Sequence, residues 1–332
     1  MEMRVFGRGG VPVSILGFGC GAVGGLMVRG DPADQERAVA RALEAGVNYF
    51  DTAAQYGNGA SETNLGRVLA KLKPANALVG TKVGLRPTEL GGIGDAVSRA
   101  LEASLRRLGL EQVGIFYLHN PIGLEGAGEV LGVHQVLDEV VPAFDKLRRQ
   151  GKTRFLGLTA IGDTEALRQV IDARLFDGAQ VVYNMLNPSA ARDLPAHFPA
   201  QDYGRLFDHT QAAGVGVVGI RVLAGGALSG VAERHPVASP APEPIGSAAS
   251  YEGDLSRARR FLPLLQEGYA GSLTEAATRF AISHPAMGTV LVGMATLEQF
   301  EQALEAVRKG PLPQAALERI AWLRQGFAGE TR

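Results

Sequence analysis

Apolar residues are not spread evenly along this chain but gathered in short runs. Eight runs, over 14–18, 47–51, 77–82, 113–119, 154–159, 179–183, 215–220 and 289–292, are rich in Val, Ile, Phe or Tyr. Between them lie amphipathic stretches with apolar residues at helical spacing. The pattern predicts helices over 32–45, 61–72, 93–108, 135–150, 202–213 and 295–308. Gly46, Gly109, Gly151 and Gly214 stand just past four of them, where a left-handed residue ends a helix, and Asp163 is placed to cap another. Near-continuous apolar strands alternating with helices indicate a parallel sheet covered on its outer face. Eight such units in roughly 300 residues predict an α/β fold, a (β/α)8 TIM barrel, as a single domain over 1–332.

Three pieces stand outside the alternation. Residues 3–6 and 11–13 flank Gly9-Gly10 and predict an N-terminal β-hairpin covering one barrel mouth. The segment 233–255 contains Pro236, Pro240, Pro242 and Pro244 and is expected to be a long irregular loop on the active-site side. Residues 313–327 predict an extra C-terminal helix, in which Trp322 is expected to pack.

Composition narrows the function classes. At 332 residues, 46% hydrophobic and 20% charged, the chain can bury a large core without staples. Its 33 basic and 34 acidic side chains leave a net charge of −1, with no overall field for nucleic acid or a membrane surface. The clusters Arg106-Arg107, Arg148-Arg149 and Arg257-Ala258-Arg259-Arg260 read as solvated helix faces. One cysteine, Cys20, excludes an internal disulfide framework and fits a reducing, cytoplasmic setting. His134, His197, His209, His235 and His284 show no short metal spacing, so no metal site is expected. Two long apolar stretches, 11–28 and 214–232, are interrupted by glycines, and Arg221 sits within the second. Both read as strand and loop rather than export signal or membrane span.

The chemistry is expected at the strand C-terminal ends, which share one face of such a barrel. Asp51, Lys82 and His119 close three consecutive apolar runs, and Tyr56 follows Asp51 in the turn Tyr56-Gly57-Asn58-Gly59, which would fold it back over the same mouth. A phenol near pH 10 donates a proton poorly at neutral pH. An ammonium beside it would lower that value, a carboxylate would hold the ammonium, and an imidazole would orient a carbonyl. The set suits protonation of a carbonyl oxygen as hydride reaches the carbon, or the reverse with an alcohol. Glycine-rich residues 223–230 and Gly293, ahead of the helix at 295–308, supply the parts of a phosphate site. Gly19-Cys20-Gly21-Ala22-Val23-Gly24 is formally G-x-G-x-x-G. The polar break Arg29-Gly30-Asp31-Pro32 delays the helix a Rossmann unit would open there, so the run is expected to line the cleft through its backbone.

The runs Asn48-Tyr49-Phe50-Asp51-Thr52-Ala53-Ala54-Gln55-Tyr56-Gly57, Gly80-Thr81-Lys82-Val83-Gly84 and Phe116-Tyr117-Leu118-His119 resemble the aldo-keto reductase superfamily, and the likeness extends over nearly the whole chain. It implies a nicotinamide-dependent oxidoreductase with Tyr56 as general acid/base, Lys82 tuning Tyr56, Asp51 paired with Lys82 and His119 orienting the carbonyl. It also implies cofactor contacts from Gly21, Asp51, Thr159, Gln180, Arg221, Leu223, Gly225, Gly293, Thr296, Gln299 and Gln302. This chain departs from the common family pattern at several places. Ile220 replaces the aromatic ring that stacks on nicotinamide, Thr159-Ala160 replaces a Ser/Thr–Asn pair, and Met294 and Ala295 stand where a residue often meets the 2′-phosphate of NADP. These changes leave NADP(H) and NAD(H) both open. The run Arg221-Val222-Leu223-Ala224-Gly225-Gly226 is similar to the aldose dehydrogenase branch, which implies a small carbonyl or sugar substrate. Two other readings stay open here: an aldolase-like lyase with Lys82 as a Schiff base, and a nicotinamide-binding regulatory barrel without turnover.

Overall fold

All eight predicted strands form, and they close on themselves. In the computed structural model, which describes residues 1–327, the hairpin strands β1 (Met3–Phe6) and β2 (Val11–Ser14) pair antiparallel, Met3 opposite Ser14. The barrel strands are β3 (Leu16–Gly19), β4 (Tyr49–Asp51), β5 (Leu78–Val83), β6 (Val113–Leu118), β9 (Thr153–Ala160), β10 (Gly178–Val182), β11 (Gly216–Ile220) and β12 (Met287–Gly293). A two-residue ladder, β7 (Ile122–Gly123) with β8 (Leu131–Gly132), lies in the connection after β6. Each barrel pair is parallel, and β12 closes the ring on β3 with Val290 opposite Leu16 and Gly293 opposite Gly19. Hairpin and barrel meet at Ser14, whose backbone N–H donates to Asn48 Oδ1 at 2.8 Å while its hydroxyl accepts from Asn48 N at 3.0 Å.

The helices follow local chemistry. Pro32–Glu44 opens with a proline and is capped by the Asp31 side chain, which accepts from Ala33 N. Ile93–Leu108 stops at Gly109, φ 65°. Asp163 caps Thr164–Asp172 by accepting from Ala166 N. The helix predicted over 135–150 spans three pieces, Val133–Gln135, a π turn at Val136–Val140 and Val141–Arg149. The wide turn precedes Pro142, which has no N–H for the regular ladder.

Other expectations shift at element edges. The helices predicted from 202 and 295 begin later, as Leu206–Ala213 and Leu297–Arg308. Residues 251–255, expected in the irregular segment, start the helix Tyr251–Arg259, capped by Ser250. Leu273–Ile282 was not anticipated, although Ser272 caps it by accepting from Glu275 N. Trp322 does not pack: it is 60% exposed, with the Arg319 guanidinium 4.5 Å from its ring centroid. The basic clusters are not simply solvated either. Arg107 donates to the fully buried Glu62, and Arg257 is itself buried. No helix among the described residues is long and apolar enough to cross a membrane.

The hairpin seals the end of the barrel away from the strand C-termini. Phe6 lies over Gly178, Gly216 and Gly288 near the starts of β10, β11 and β12, where an added Cβ would come within 2.8, 2.7 and 3.1 Å of its ring. Phe6 joins Val11, Val13, Tyr49, Leu78, Ile115, Tyr117 and Val218 in an interior cluster. The other mouth is left for chemistry.

Candidate active site

Asp51 ends β4, Lys82 lies one residue from the end of β5, and His119 directly follows β6. Tyr56 reaches them because Gly57, Asn58 and Gly59 are all left-handed (φ 62°, 51° and 89°), which reverses the chain. The Lys82 ammonium donates to Asp51 Oδ1 at 2.5 Å, to the Thr52 carbonyl at 2.8 Å and to Tyr56 Oη at 3.3 Å. Gln180 Nε2 donates to Asp51 Oδ2 at 2.5 Å. The Tyr56 and His119 rings meet edge-on, centroids 6.1 Å apart. The four residues singled out from sequence therefore converge on one site.

Burial governs the charges. It works against the Lys82 ammonium, but Asp51 and then Tyr56 outweigh it and hold the Lys82 pKa above the ordinary value. Burial raises Asp51, opposed chiefly by Lys82. Tyr56 departs from expectation: burial pushes the phenol up, and the opposing pull of Lys82 does not overcome it. Proximity to a cation was legible in sequence, whereas the loss of water around the phenol was not. All three ammonium N–H groups of Lys82 are engaged, and the charge is favoured. A Schiff base needs a free amine lone pair, so the lyase alternative loses its footing.

His119 Nδ1 is buried without a hydrogen-bond partner. Burial, then the nearby Lys82, lowers the His119 pKa to about 3. Its folded value lies below the ordinary 6.5, so His119 contributes stability above pH 6.5 that is lost as pH falls toward 3. In a histidine NMR titration the His119 imidazole should stay neutral from pH 8 to about pH 4. A midpoint near pH 6.5 would contradict this.

A cleft of about 410 Å³ runs from Asp51, Tyr56 and His119 toward Gln299 and Gln302, within the size range of small-molecule sites. Of the expected cofactor residues, Gly21, Asp51, Thr159, Gln180, Arg221, Leu223, Gly225, Gly293, Gln299 and Gln302 line it. Thr296 does not: its hydroxyl caps the helix Leu297–Arg308 by accepting from Gln299 N. Gly21 lies beside the Tyr56 ring, which a Cβ there would approach to 3.8 Å. The start of Leu297–Arg308 lies at the rim beside Ala295 and Gln299 and offers the positive end of a helix dipole. Arg221 faces the cleft from a left-handed backbone, φ 56°. The lining offers Arg221 and a helix N-terminus for anionic groups of a ligand that reaches Tyr56.

The segment 233–255 lies on the active-site side as expected, but sequence reasoning missed that part of it straps the cleft. Arg234, His235 and Ala238 line it, and the strap is tied to the loop after β3. Arg29 Nε donates to the Val237 carbonyl at 2.8 Å, and Ser239 N to the Val23 carbonyl at 3.1 Å. No local signal announces a contact between segments so far apart in the chain. Among the described residues no group of three or more His, Cys, Asp or Glu is placed to hold a metal ion.

Comparison with known proteins agrees with this geometry. Residues 15–324 match the model of the Aldo/keto reductase family. L-galactose dehydrogenase of Arabidopsis thaliana is 29% identical over 92% of this chain and 88% of its own. D-threo-aldose 1-dehydrogenase of Pseudomonas sp is 31% identical over 56% of this chain and 63% of its own. An aldo-keto reductase from Bacillus halodurans, in its holo form, superposes with a TM-score of 0.72 at 25% identity, covering 97% of this chain and 96% of that one.

Proposed function

The chain belongs to the aldo/keto reductase family of NAD(P)-dependent oxidoreductases, and from that premise we propose that it interconverts a small aldehyde, ketone or aldose with its alcohol or lactone, using Tyr56 as general acid and base. The observation that carries this reading is the Lys82 ammonium, held by Asp51 at 2.5 Å and donating to Tyr56 Oη at 3.3 Å at the head of the cleft.

Bound NAD(P)H supplies hydride to the carbonyl carbon, and its oxidised form accepts hydride in the reverse direction. In reduction, Tyr56 Oη gives its proton to the carbonyl oxygen, and Lys82 stabilises the phenolate left behind. Asp51 keeps Lys82 charged and aimed. His119, neutral in the working pH range, orients the carbonyl. In oxidation Tyr56 Oη takes the hydroxyl proton, so the same unit serves both directions. Gly21, Gly225, Leu223 and Gly293 would approach the cofactor with their backbones, Thr159 and Gln180 its nicotinamide end, and Gln299 and Gln302 its adenine end. Arg221 would meet an anionic group. Thr296 acts only by capping the helix that faces it.

An aldose is the substrate class favoured, because two relatives are named as dehydrogenases of sugars. NAD is favoured over NADP, because Met294 and Ala295, which stand where a basic or hydroxyl residue often meets the 2′-phosphate, are buried and apolar. Fluorescence titration with NADH and NADPH, then turnover over an aldose and carbonyl panel, tests the reading. Tighter NADH binding and lactone formation from an aldose are expected. Binding without turnover over the whole panel would favour the regulatory barrel, and no binding of either nucleotide would overturn both readings.

A further inference from the structure

Beneath the mouth the barrel interior is mostly apolar, and two tyrosines lie within it. Tyr49 on β4 and Tyr117 on β6 have no exposed surface, and each precedes a site residue by two positions, Asp51 and His119 respectively. Period-two alternation turns all four inward. The two phenol oxygens are 2.8 Å apart, and Tyr49 Oη is 3.3 Å from Asp51 Oδ2. Neighbouring strands make room for the rings. A Cβ on Gly80 of β5 would come within 2.7 Å of Tyr49 Oη, and one on Gly157 of β9 within 2.3 Å of the Tyr117 ring. Burying hydroxyls in an apolar interior is costly unless they are paired.

The direction of the hydrogen bonds follows from the acceptor. An ionised carboxylate has no hydrogen, so Tyr49 donates to Asp51 and its own oxygen accepts from Tyr117. Asp51 Oδ1 is engaged by Lys82, and Oδ2 by Gln180 and Tyr49. Gln180 lines the cleft, where a bound ligand's polar groups compete for its amide. Tyr49 does not line the cleft and is held from within by Tyr117 at 2.8 Å, with Gln180 also within reach of its hydroxyl.

We propose that Tyr117 and Tyr49 form a two-hydroxyl relay that holds Asp51 ionised from inside the barrel, making both positioning residues for the Lys82–Tyr56 pair. The proposal rests on the reading of Tyr56 and Lys82 given above. The titratable groups around Asp51 are Cys20 after β3, Tyr49, Tyr56, Lys82, Tyr117 and His119. Burial pushes Cys20, Tyr49 and Tyr117 up and His119 down to about 3. None of these four changes charge near neutrality, which leaves the Asp51–Lys82–Tyr56 unit to set the pH response.

The test compares the acid limb of the kcat/KM–pH profile in Tyr49→Phe, Tyr117→Phe and the double variant. In Tyr49→Phe the limb should move to higher pH by about one unit, because Asp51 loses a donor to its ionised form. Tyr117→Phe should move it the same way by less. The double variant should match Tyr49→Phe alone, since Tyr117 reaches Asp51 only through Tyr49. In nucleotide-free protein, an infrared titration should show the protonated Asp51 carboxyl band at higher pH in Tyr49→Phe than in the parent.

A packing role would lower thermal stability and leave both the limb and the band in place, which would overturn the proposal, as would additive shifts in the double variant. If Tyr49→Phe does not fold, Tyr117→Phe decides alone: a shifted limb supports the relay, and an unmoved one overturns it. Full turnover in Tyr56→Phe would instead reject the underlying reading, whereas an unmoved limb in a Tyr56-dependent enzyme rejects only the relay.

Discussion

Tyr56→Phe is expected to lower kcat by about two to four orders of magnitude, the usual contribution of a positioned general acid or base, while nucleotide affinity stays near that of the parent. The variant keeps the ring that meets His119 edge-on and that lies 4.8 Å from Lys82 Nζ, and it removes only the hydroxyl. Lys82 retains Asp51 and the Thr52 carbonyl, so the fold should tolerate the change. Single-turnover measurements with saturating nucleotide separate chemistry from binding. Unchanged kcat would remove Tyr56 from the mechanism. Burial raises the Tyr56 pKa despite Lys82, so the phenol is protonated at neutral pH, ready to act as an acid. Oxidation should therefore accelerate as pH rises, while reduction should not.

Lys82→Met should cost stability heavily as well as turnover. It leaves the Asp51 carboxylate buried with only Gln180 and Tyr49 as donors. Breaking a buried ion pair from one side costs about 3–5 kcal/mol. The sign of its pH dependence is diagnostic. Without Lys82, Asp51 loses the main influence that opposes burial, so its folded pKa, already raised in the parent, lies still further above its unfolded one. The variant is then most stable at low pH, where Asp51 is protonated, and loses stability as pH rises through the folded value. Urea unfolding at pH 5 and pH 8 should show this, and adding Asp51→Asn should recover stability at pH 8 without recovering turnover. Equal losses at both pH values would mean that Asp51 does not carry the buried charge.

The barrel was legible because its strands are apolar runs that end in ionisable residues, and because Asp163 and Gly109 punctuate helices by local chemistry. Asp51, Lys82 and His119 were legible for the same reason: an ionisable side chain closing a buried strand is conspicuous. The helix Leu273–Ile282 was missed even though Ser272 and Glu275 mark its start, since an irregular stretch before it masked the alternation. Direct contacts made by closure were legible for Asp51 with Lys82, and for Lys82 with Tyr56, but not beyond them. Gln180 lies 129 residues from Asp51 and Tyr117 lies 68 from Tyr49, so only the completed ring reveals that they touch. Charge tuning was half legible. That Lys82 would pull on Tyr56 follows from residue types, but the dominant influence of burial depends on packing in three dimensions.

The Phe6 stopper gives the molecule two unlike poles. On the hairpin, Met3 is 45% and Val5 is 70% exposed, and both lie at the pole opposite the cleft. A solid support or fusion partner attached through that strand would leave the reactive pole turned to solution, and diffusion to it unobstructed. Tethering through the strap segment would do the opposite, because it crosses the cleft that leads to the chemistry.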